Sequence, residues 1–357
     1  MAVPEASHVP ASDGPIASHI VRAHRNELPV GPNADVLGVL RHVVPRLNRY
    51  PDPAYQSLIH ALVEELQVNP DQLAIGAGSS SVLQRLIRIR CRTDSEVVFT
   101  GPTNDMLDGF AAQVGARVVK VRTGHDGHVD LEALARAANR DGARVVVVAN
   151  PHNPTGTLAH SLQLRSFIGR VPSRVLIVLD EAYRGFSDDP ATPDGVELAK
   201  VYWASGHDNL VVTRSFSKAF GLAGARVGYA VAPPDIAAAL VSGGLPVEVS
   251  AMSQALAVAA LHQRRARQRD INDVIDERAR VRKALRRSGL VIPRSQANFL
   301  WLPIGRESHE LALWCGERGL QVQSFPLHGV RVTIGTKSDN DRLIRIVGSW
   351  FNRHVPA

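Results

Sequence analysis

The chain has 357 residues, 45% of them apolar and 21% charged, an ordinary globular composition that excludes disorder, collagen-like repeats and a disulfide scaffold. No apolar run approaches the roughly 18–20 residues that cross a bilayer, and the start lacks the basic-then-apolar pattern of a secretory leader, so no membrane partner is expected. Lys+Arg exceed Asp+Glu by 41 − 34 = 7, but the densest basic group, Arg278 to Arg287, shares its segment with Asp270, Asp273, Asp276 and Glu277, as a solvated helix face does and a nucleic-acid surface does not.

In chain order, residues 1–32 are rich in Pro, Gly and polar residues, and residues 1–45 are expected to form an N-terminal arm packing with the small domain. A helix is predicted over Ala54–Leu66, where Leu58, Ile59, Leu62, Val63 and Leu66 recur at helical spacing, and another over Val82–Ile89 after a glycine-rich turn. Short β-branched runs follow at Val97–Phe99, Arg117–Val121, Val145–Ala149, Val175–Leu179, Leu210–Thr213 and Val227–Val231. Helical stretches such as Leu131–Ala138 and Leu162–Ile168 lie between several of them. This alternation predicts an α/β fold: a large domain over 46–245 with a mostly parallel sheet sandwiched by helices. After Pro233-Pro234 the texture shifts to a small-residue helix (Ser253–His262), a long charged helix (Asp270–Leu285) and strands at Phe299–Leu302, Leu320–Gln323 and Val330–Ile334. These predict a smaller α+β domain over 246–357. The two cysteines, Cys91 and Cys315, have no CxxC spacing, which fits a reducing compartment such as the cytoplasm and argues against a metal site.

Only five residues are lysine, so each can be weighed singly. Lys120 interrupts a β run, Lys200 ends a helical stretch, Lys283 sits among arginines and Lys337 begins a polar turn. Lys218 differs: it follows a strand end, lies between hydroxyl residues and a run containing Gly221, Gly224 and Gly228, and so sits where open α/β sheets place ligands. A lysine in such a crevice can lose its proton and form an imine with an aldehyde, although a surface loop lysine has the same local look.

Three other segments bear on that choice. Gly76-Ala-Gly-Ser-Ser-Ser-Val-Leu opens a helix with small residues whose N–H groups can hold a phosphate. Asn150-Pro-His-Asn-Pro-Thr-Gly156 directly follows an apolar strand and forms a rigid turn able to aim an amide into the crevice. Val175-Leu-Ile-Val-Leu-Asp180-Glu-Ala-Tyr183 sets an acid at the end of a wholly apolar strand, where a carboxylate needs a positive partner or a helix start to cap.

Taken in order, these segments resemble the fold-type I pyridoxal 5'-phosphate (PLP) enzymes, class I/II aminotransferases, and most closely the histidinol-phosphate aminotransferase group. The likeness spans nearly the whole chain. It is carried by Asn26-Glu-Leu-Pro, Tyr50-Pro-Asp-Pro, Asn153-Pro-Thr-Gly, Asp180-Glu-Ala-Tyr, Ser217-Lys-Ala-Phe and Arg331-Val-Thr-Ile-Gly-Thr336.

The resemblance implies PLP held as a Schiff base on Lys218. It also implies Asp180 facing the pyridine nitrogen, Tyr183 and Asn153 on the ring's 3-oxygen, and Gly78, Ser79, Ser80, Ser215, Ser217 and Arg226 around the phosphate. Tyr50 would reach the phosphate of a neighbouring subunit in a homodimer with a shared active site. Arg331 would pair with the substrate carboxylate, and Asn26 and Glu27 would bind substrate beside it. The activity implied is transfer of an amino group from an amino acid or amino alcohol, in which Lys218, Asp180 and Tyr183 are the catalytic residues.

Two positions depart from the family pattern. Asn104 stands where an aromatic residue covers the cofactor ring, and Gln323 stands where an arginine serves a substrate phosphate. Losing that charge-assisted contact argues against histidinol phosphate as substrate. Another cleavage at Cα, by a decarboxylase, lyase, oxidase or C–C bond-forming enzyme of a specialised biosynthetic pathway, is the alternative on the same fold. A DNA-binding regulator is not expected, because residues 1–45 are too short and too Pro/Gly-broken for a helix-turn-helix domain.

Overall fold

β-branched side chains fit a pleated surface and alternate between its two faces, so the apolar runs in the middle of this chain become strands buried on both sides. The structure is a computed structural model that describes residues 20–354 apart from Asn104 and His125. Its strands are β1 (Val21–Ala23), β2 (Leu73–Gly76), β3 (Glu96–Gly101), β4 (Arg117–Arg122), β5 (Ala143–Ala149) and β6 (Leu176–Asp180). There follow β7 (Leu210–Ser215), β8 (Gly228–Val231), β9 (Phe299–Leu302), β10 (Leu320–Phe325) and β11 (Gly329–Thr333).

Seven of them form one sheet in the order β2-β8-β7-β6-β5-β3-β4. The contiguous strands from β7 to β4 are parallel, and β8 runs antiparallel between β7 and β2. Alternate residues serve two cores. Val146, Val148, Ile177, Leu179 and Val212 face one, with helices such as Gln56–Leu66 and Leu131–Ala138. Val145, Val147, Leu176, Val178 and Val211 face the other, with Ser79–Arg90 and Pro234–Ser242. This is the expected parallel-rich sheet covered by helices on both faces.

The remaining strands form a four-stranded sheet, β1-β10-β11-β9. Leu300, Leu302, Val330, Val332 and Leu320 pack on one side with Ile271, Val274, Val281 and Leu285 of the long helix Arg264–Arg286. The opposite side carries Phe299, Trp301, Arg331, Thr333 and Gln323, since residues two apart share a face and directly paired residues lie side by side.

Packing changes hands later in the chain than the boundary expected at 245. Ala257, Ala260 and Leu261 of the helix Ala251–His262 belong with the large sheet's core, whereas Ile271 onward belongs with the small sheet. The small alanine-rich face of that helix lies against Gln56–Leu66, and this contact decides the matter. The segment expected as an arm on the small domain divides in the same way: β1 pairs with β10, but Val36 is buried in the large sheet's core. Lys337 opens the helix Lys337–His354 and not a turn. Much of the basic helix is internally paired, Arg278 with Asp188 at 3.2 Å and Arg280 with Asp341 at 2.7 Å, while Arg282 donates to the Ile292 and Pro293 carbonyls.

Candidate active site

The carboxyl ends of β2, β5, β6 and β7 open onto one crevice, and the polar face of the small sheet looks into it. At β2 the chain turns through Gly78, φ 82°, into the helix Ser79–Arg90, which no side chain caps. Its first N–H groups and the helix dipole form a seat for an anion. β8 passes so close to this turn that a Cβ at Gly228 would overlap the Ser79 nitrogen. Arg226, itself at φ 54°, crosses the turn: Nη1 donates to Ser217 Oγ at 3.1 Å and Nη2 to Ser80 Oγ at 3.4 Å. Ser215 Oγ accepts from the Ser217 N–H at 3.0 Å. Gly78, Ser79, Ser80, Ser215, Ser217 and Arg226 therefore meet, as three separate stretches of chain forming one cup.

β6 delivers Asp180 to the crevice floor. Its Oδ1 accepts from Thr213 Oγ1 at 3.2 Å and from the Ala182 N–H at 3.2 Å. Among the described residues no cation pairs with it, and burial pushes its pKa up to about 6. The adjacent Glu181 points the other way and is fully matched. It takes Arg214 through Nη2 at 2.7 Å and Nε at 2.9 Å, and the Gly195 N–H at 2.8 Å. Burial raises the Glu181 pKa while Arg214 and Arg184 oppose that rise. Of two neighbouring acids, one is structural and one lacks a counter-charge.

Above the floor, Lys218 Nζ lies 5.7 Å from the centre of the Tyr183 ring and donates to the carbonyls of Arg25 (3.0 Å) and Asn26 (3.1 Å). Tyr183 packs edge-on to Phe299 and accepts from Asn26 Nδ2 at 2.9 Å. Arg331 rises from β11, buried. Its Nη1 donates to Asn153 Oδ1 and its Nη2 to the His24 carbonyl, each at 2.6 Å. Its Nε finds no partner, no carboxylate reaches it among the described residues, and burial lowers its pKa. The Phe299 and Phe325 rings lie 5.5 and 5.8 Å from this guanidinium.

Of the other residues expected at the site, Glu27 is half-buried near the arm's His24, whose pKa burial and Arg25 lower and Glu27 only partly restores. Tyr50 is 93% exposed and takes no part in this cup's hydrogen bonds. Asn104 lies outside the described residues. His152 is buried and neutral, its pKa pushed down to about 3, with Nδ1 on Thr155 Oγ1 at 2.9 Å. Sequence reading misses Thr213 and Thr333. Both are plain strand threonines whose importance comes from cross-strand neighbours.

The matches to known proteins agree with this geometry. Residues 33–347 match the family model for aminotransferase class I and II. The chain belongs to this family. An aromatic amino acid aminotransferase of Thermobifida fusca (strain YX) is 38% identical over 92% of this chain and 90% of its own length. One of Rhodococcus erythropolis (strain PR4 / NBRC 100887) is 40% identical over 95% of the chain and 91% of its length. Among solved structures, histidinol-phosphate aminotransferase from Sinorhizobium meliloti, in complex with pyridoxal-5'-phosphate, superposes with a TM-score of 0.85. It is 28% identical, covering 94% of this chain and 91% of that one.

This aminotransferase is a transferase that uses PLP on small amino substrates. Its residues fit the cofactor. A dianionic phosphate would match the uncapped helix start with Arg226, and a protonated ring nitrogen would supply a cation of the kind Asp180 lacks.

Proposed function

We propose that Lys218, Asp180, Tyr183, Asn153 and the cup at residues 78–80 with Ser215, Ser217 and Arg226 hold PLP, and that Arg331 receives the carboxylate of an uncharged, aromatic amino acid. The observation that carries this reading is a pair of opposite buried charges, Asp180 and Arg331, each without its counter-ion. A bare buried charge is costly, so both positions call for ligand charges of opposite sign. When bound, the cofactor supplies an electron-withdrawing ring that stabilises negative charge at the substrate's Cα.

The chain's own groups do the rest. Asp180 keeps the ring nitrogen protonated, because a carboxylate with no other cation interacts strongly with the one that arrives. Arg331 orients the substrate by its planar fork, its Nη1 already held in position by Asn153. Lys218 Nζ would hold the cofactor and, as a free amine, would take the proton from the substrate's Cα and give it up at the cofactor carbon that bears the transferred nitrogen.

The substrate class follows from the row across the small sheet. Gln323 pairs directly with Arg331 and shares its face, and Trp301 flanks Arg331 on the other side. An amide there offers no charge to a second anion, and Phe299, Phe325 and Trp301 suit an apolar ring. The relatives named as aromatic amino acid aminotransferases support the same reading, which disfavours histidinol phosphate.

A homodimer is part of the proposal. Leu37, Val44, Leu47 and Tyr50 form an exposed apolar run within one stretch of chain, suited to a subunit contact that carries Tyr50 to the partner's cup. Two buried free cysteines suit a reducing compartment, and the cytoplasm is proposed.

Borohydride treatment of PLP-loaded protein followed by peptide mass analysis tests the core of the reading: the label is expected on Lys218. Labelling elsewhere refutes it. Incubating the loaded protein with phenylalanine, tyrosine, aspartate and histidinol phosphate in turn is expected to convert the cofactor to its amine form fastest with the aromatic pair.

A further inference from the structure

Asn26 uses every polar atom it has. It is 1% exposed, sits at φ 54°, and makes contacts in three directions. Its main-chain N–H donates to Thr333 Oγ1 at 3.0 Å, and Thr333 Oγ1 lies 3.0 Å from Asn26 Oδ1. Its Nδ2 lies 2.9 Å from the Tyr183 hydroxyl, and its carbonyl accepts from Lys218 Nζ and from Asn298 Nδ2 at 3.1 Å each.

Proton counting orients this chain without any hydrogen being seen. A threonine hydroxyl has one proton. The Asn26 N–H can only donate, so it takes a lone pair of Thr333 Oγ1. A hydroxyl oxygen can accept twice, so the N–H alone leaves the amide orientation open; with Nδ2 turned to Thr333, however, the threonine proton would have no acceptor among the described residues, whereas Oδ1 on that side takes it. That assigns the amide oxygen to the Thr333 side and the NH2 to the Tyr183 side, so the phenol oxygen must accept. Its own proton is left to point away from the arm, into the crevice.

We propose that Asn26 is a positioning residue: with Thr333 it sets the direction of the Tyr183 phenolic proton, so that the phenol donates toward the cofactor and not toward the arm. Asn26 thus acts through Tyr183 and does not itself bind substrate. Each donated bond also polarises the next, making the phenol a better donor. The inference rests on the proposed placement of Tyr183 against the cofactor's 3-oxygen. The charged groups that face the phenol are Lys218, from the loop after β7, and Arg331, from β11, and the substitutions below leave both in place.

The test reads the pH midpoint of the bound cofactor's absorbance change in loaded protein, in the absence of substrate. A phenol donating to the 3-oxygen stabilises the form that has lost its proton, so weakening that donor raises the midpoint. Tyr183→Phe is expected to raise it, and Asn26→Ala to raise it by roughly half a unit, the scale of one modulated hydrogen bond. In the Tyr183→Phe background Asn26→Ala is expected to add nothing. Thr333→Val should reproduce the Asn26→Ala shift and Thr333→Ser, which keeps the hydroxyl, should restore the parental midpoint. These two serve if Asn26→Ala does not fold.

An equal shift from Asn26→Ala with and without the phenol, or parental midpoints for both Asn26→Ala and Thr333→Val, overturns the inference. If Tyr183→Phe leaves the midpoint unmoved, the placement of Tyr183 fails instead, and the two failures are told apart.

Discussion

The two sheets contribute to the crevice in different ways. The large sheet presents only strand ends: Asp180 closes β6, Lys218 follows β7 and Asn153 follows β5, all on a frame buried on both faces. The small sheet presents a face: one side is apolar core, the other carries Phe299, Trp301, Arg331, Thr333 and Gln323. Strand ends of a doubly covered sheet cannot shift without disturbing two cores, which suits groups that must hold a cofactor at fixed geometry. A one-sided sheet has a whole surface free to vary, which suits recognition of the substrate. If this division holds, substitutions at the strand ends alter cofactor attachment and turnover, whereas substitutions on the small sheet's face alter substrate affinity.

The largest expected effect is at Lys218. Lys218→Ala should abolish covalent attachment of PLP and lower turnover by several orders of magnitude, read by mass analysis and single-turnover kinetics. Arg214→Met probes the frame beneath the site. Stranding the buried Glu181 should cost about 3–5 kcal/mol in denaturant unfolding, with the loaded fraction keeping its cofactor spectrum.

Asp180→Asn should keep the Thr213 and Ala182 contacts yet lower kcat/KM by roughly 10²–10³ through loss of a preorganised charge. Its stability should move oppositely. A native pKa of about 6, above the ordinary aspartate value, means that the folded chain holds a proton the unfolded chain has already released. Cofactor-free protein should therefore lose stability as pH rises from about 4 to about 6, and the asparagine variant should lose less, keeping only the contribution of other buried acids such as Glu181, as thermal melts across that range would report.

On the other sheet, Arg331→Gln should raise KM for an amino acid by roughly 10–100-fold, the worth of a charged hydrogen-bonding pair, while leaving the resting cofactor spectrum unchanged. A fall in PLP affinity from that variant would break the proposed division of labour. Smallest of all, Ser80→Ala should weaken PLP binding only about fivefold, since Arg226 and the helix N–H groups remain.

The large sheet was legible in advance because its inner strands are continuous β-branched runs. Five residues of Leu176–Asp180 declare both a buried strand and the acid that ends it. Local motifs likewise announced Lys218, Asn153 and the glycine-rich turn. β2 was not legible: four residues, Leu-Ala-Ile-Gly, are too few to show a period, and only pairing with β8 makes them a strand. The helix Ala251–His262 is legible as a helix, but the core it joins is not, because alanine-rich faces pack closely against any neighbour. The pairing of Glu181 with Arg214, which leaves Asp180 alone at the crevice, has no local signature either.

From the sequence by itself come the residue types at the strand ends and the chemistry they can perform, because an apolar run and the turn after it are adjacent in the chain. Register and direction came only with the tertiary structure. It set Thr213 beside Asp180, Gln323 and Trp301 beside Arg331, and Thr333 against an asparagine 307 residues away. Those contacts depend on which strands pair and in which alignment, a property of the assembled core that no short stretch of residues encodes.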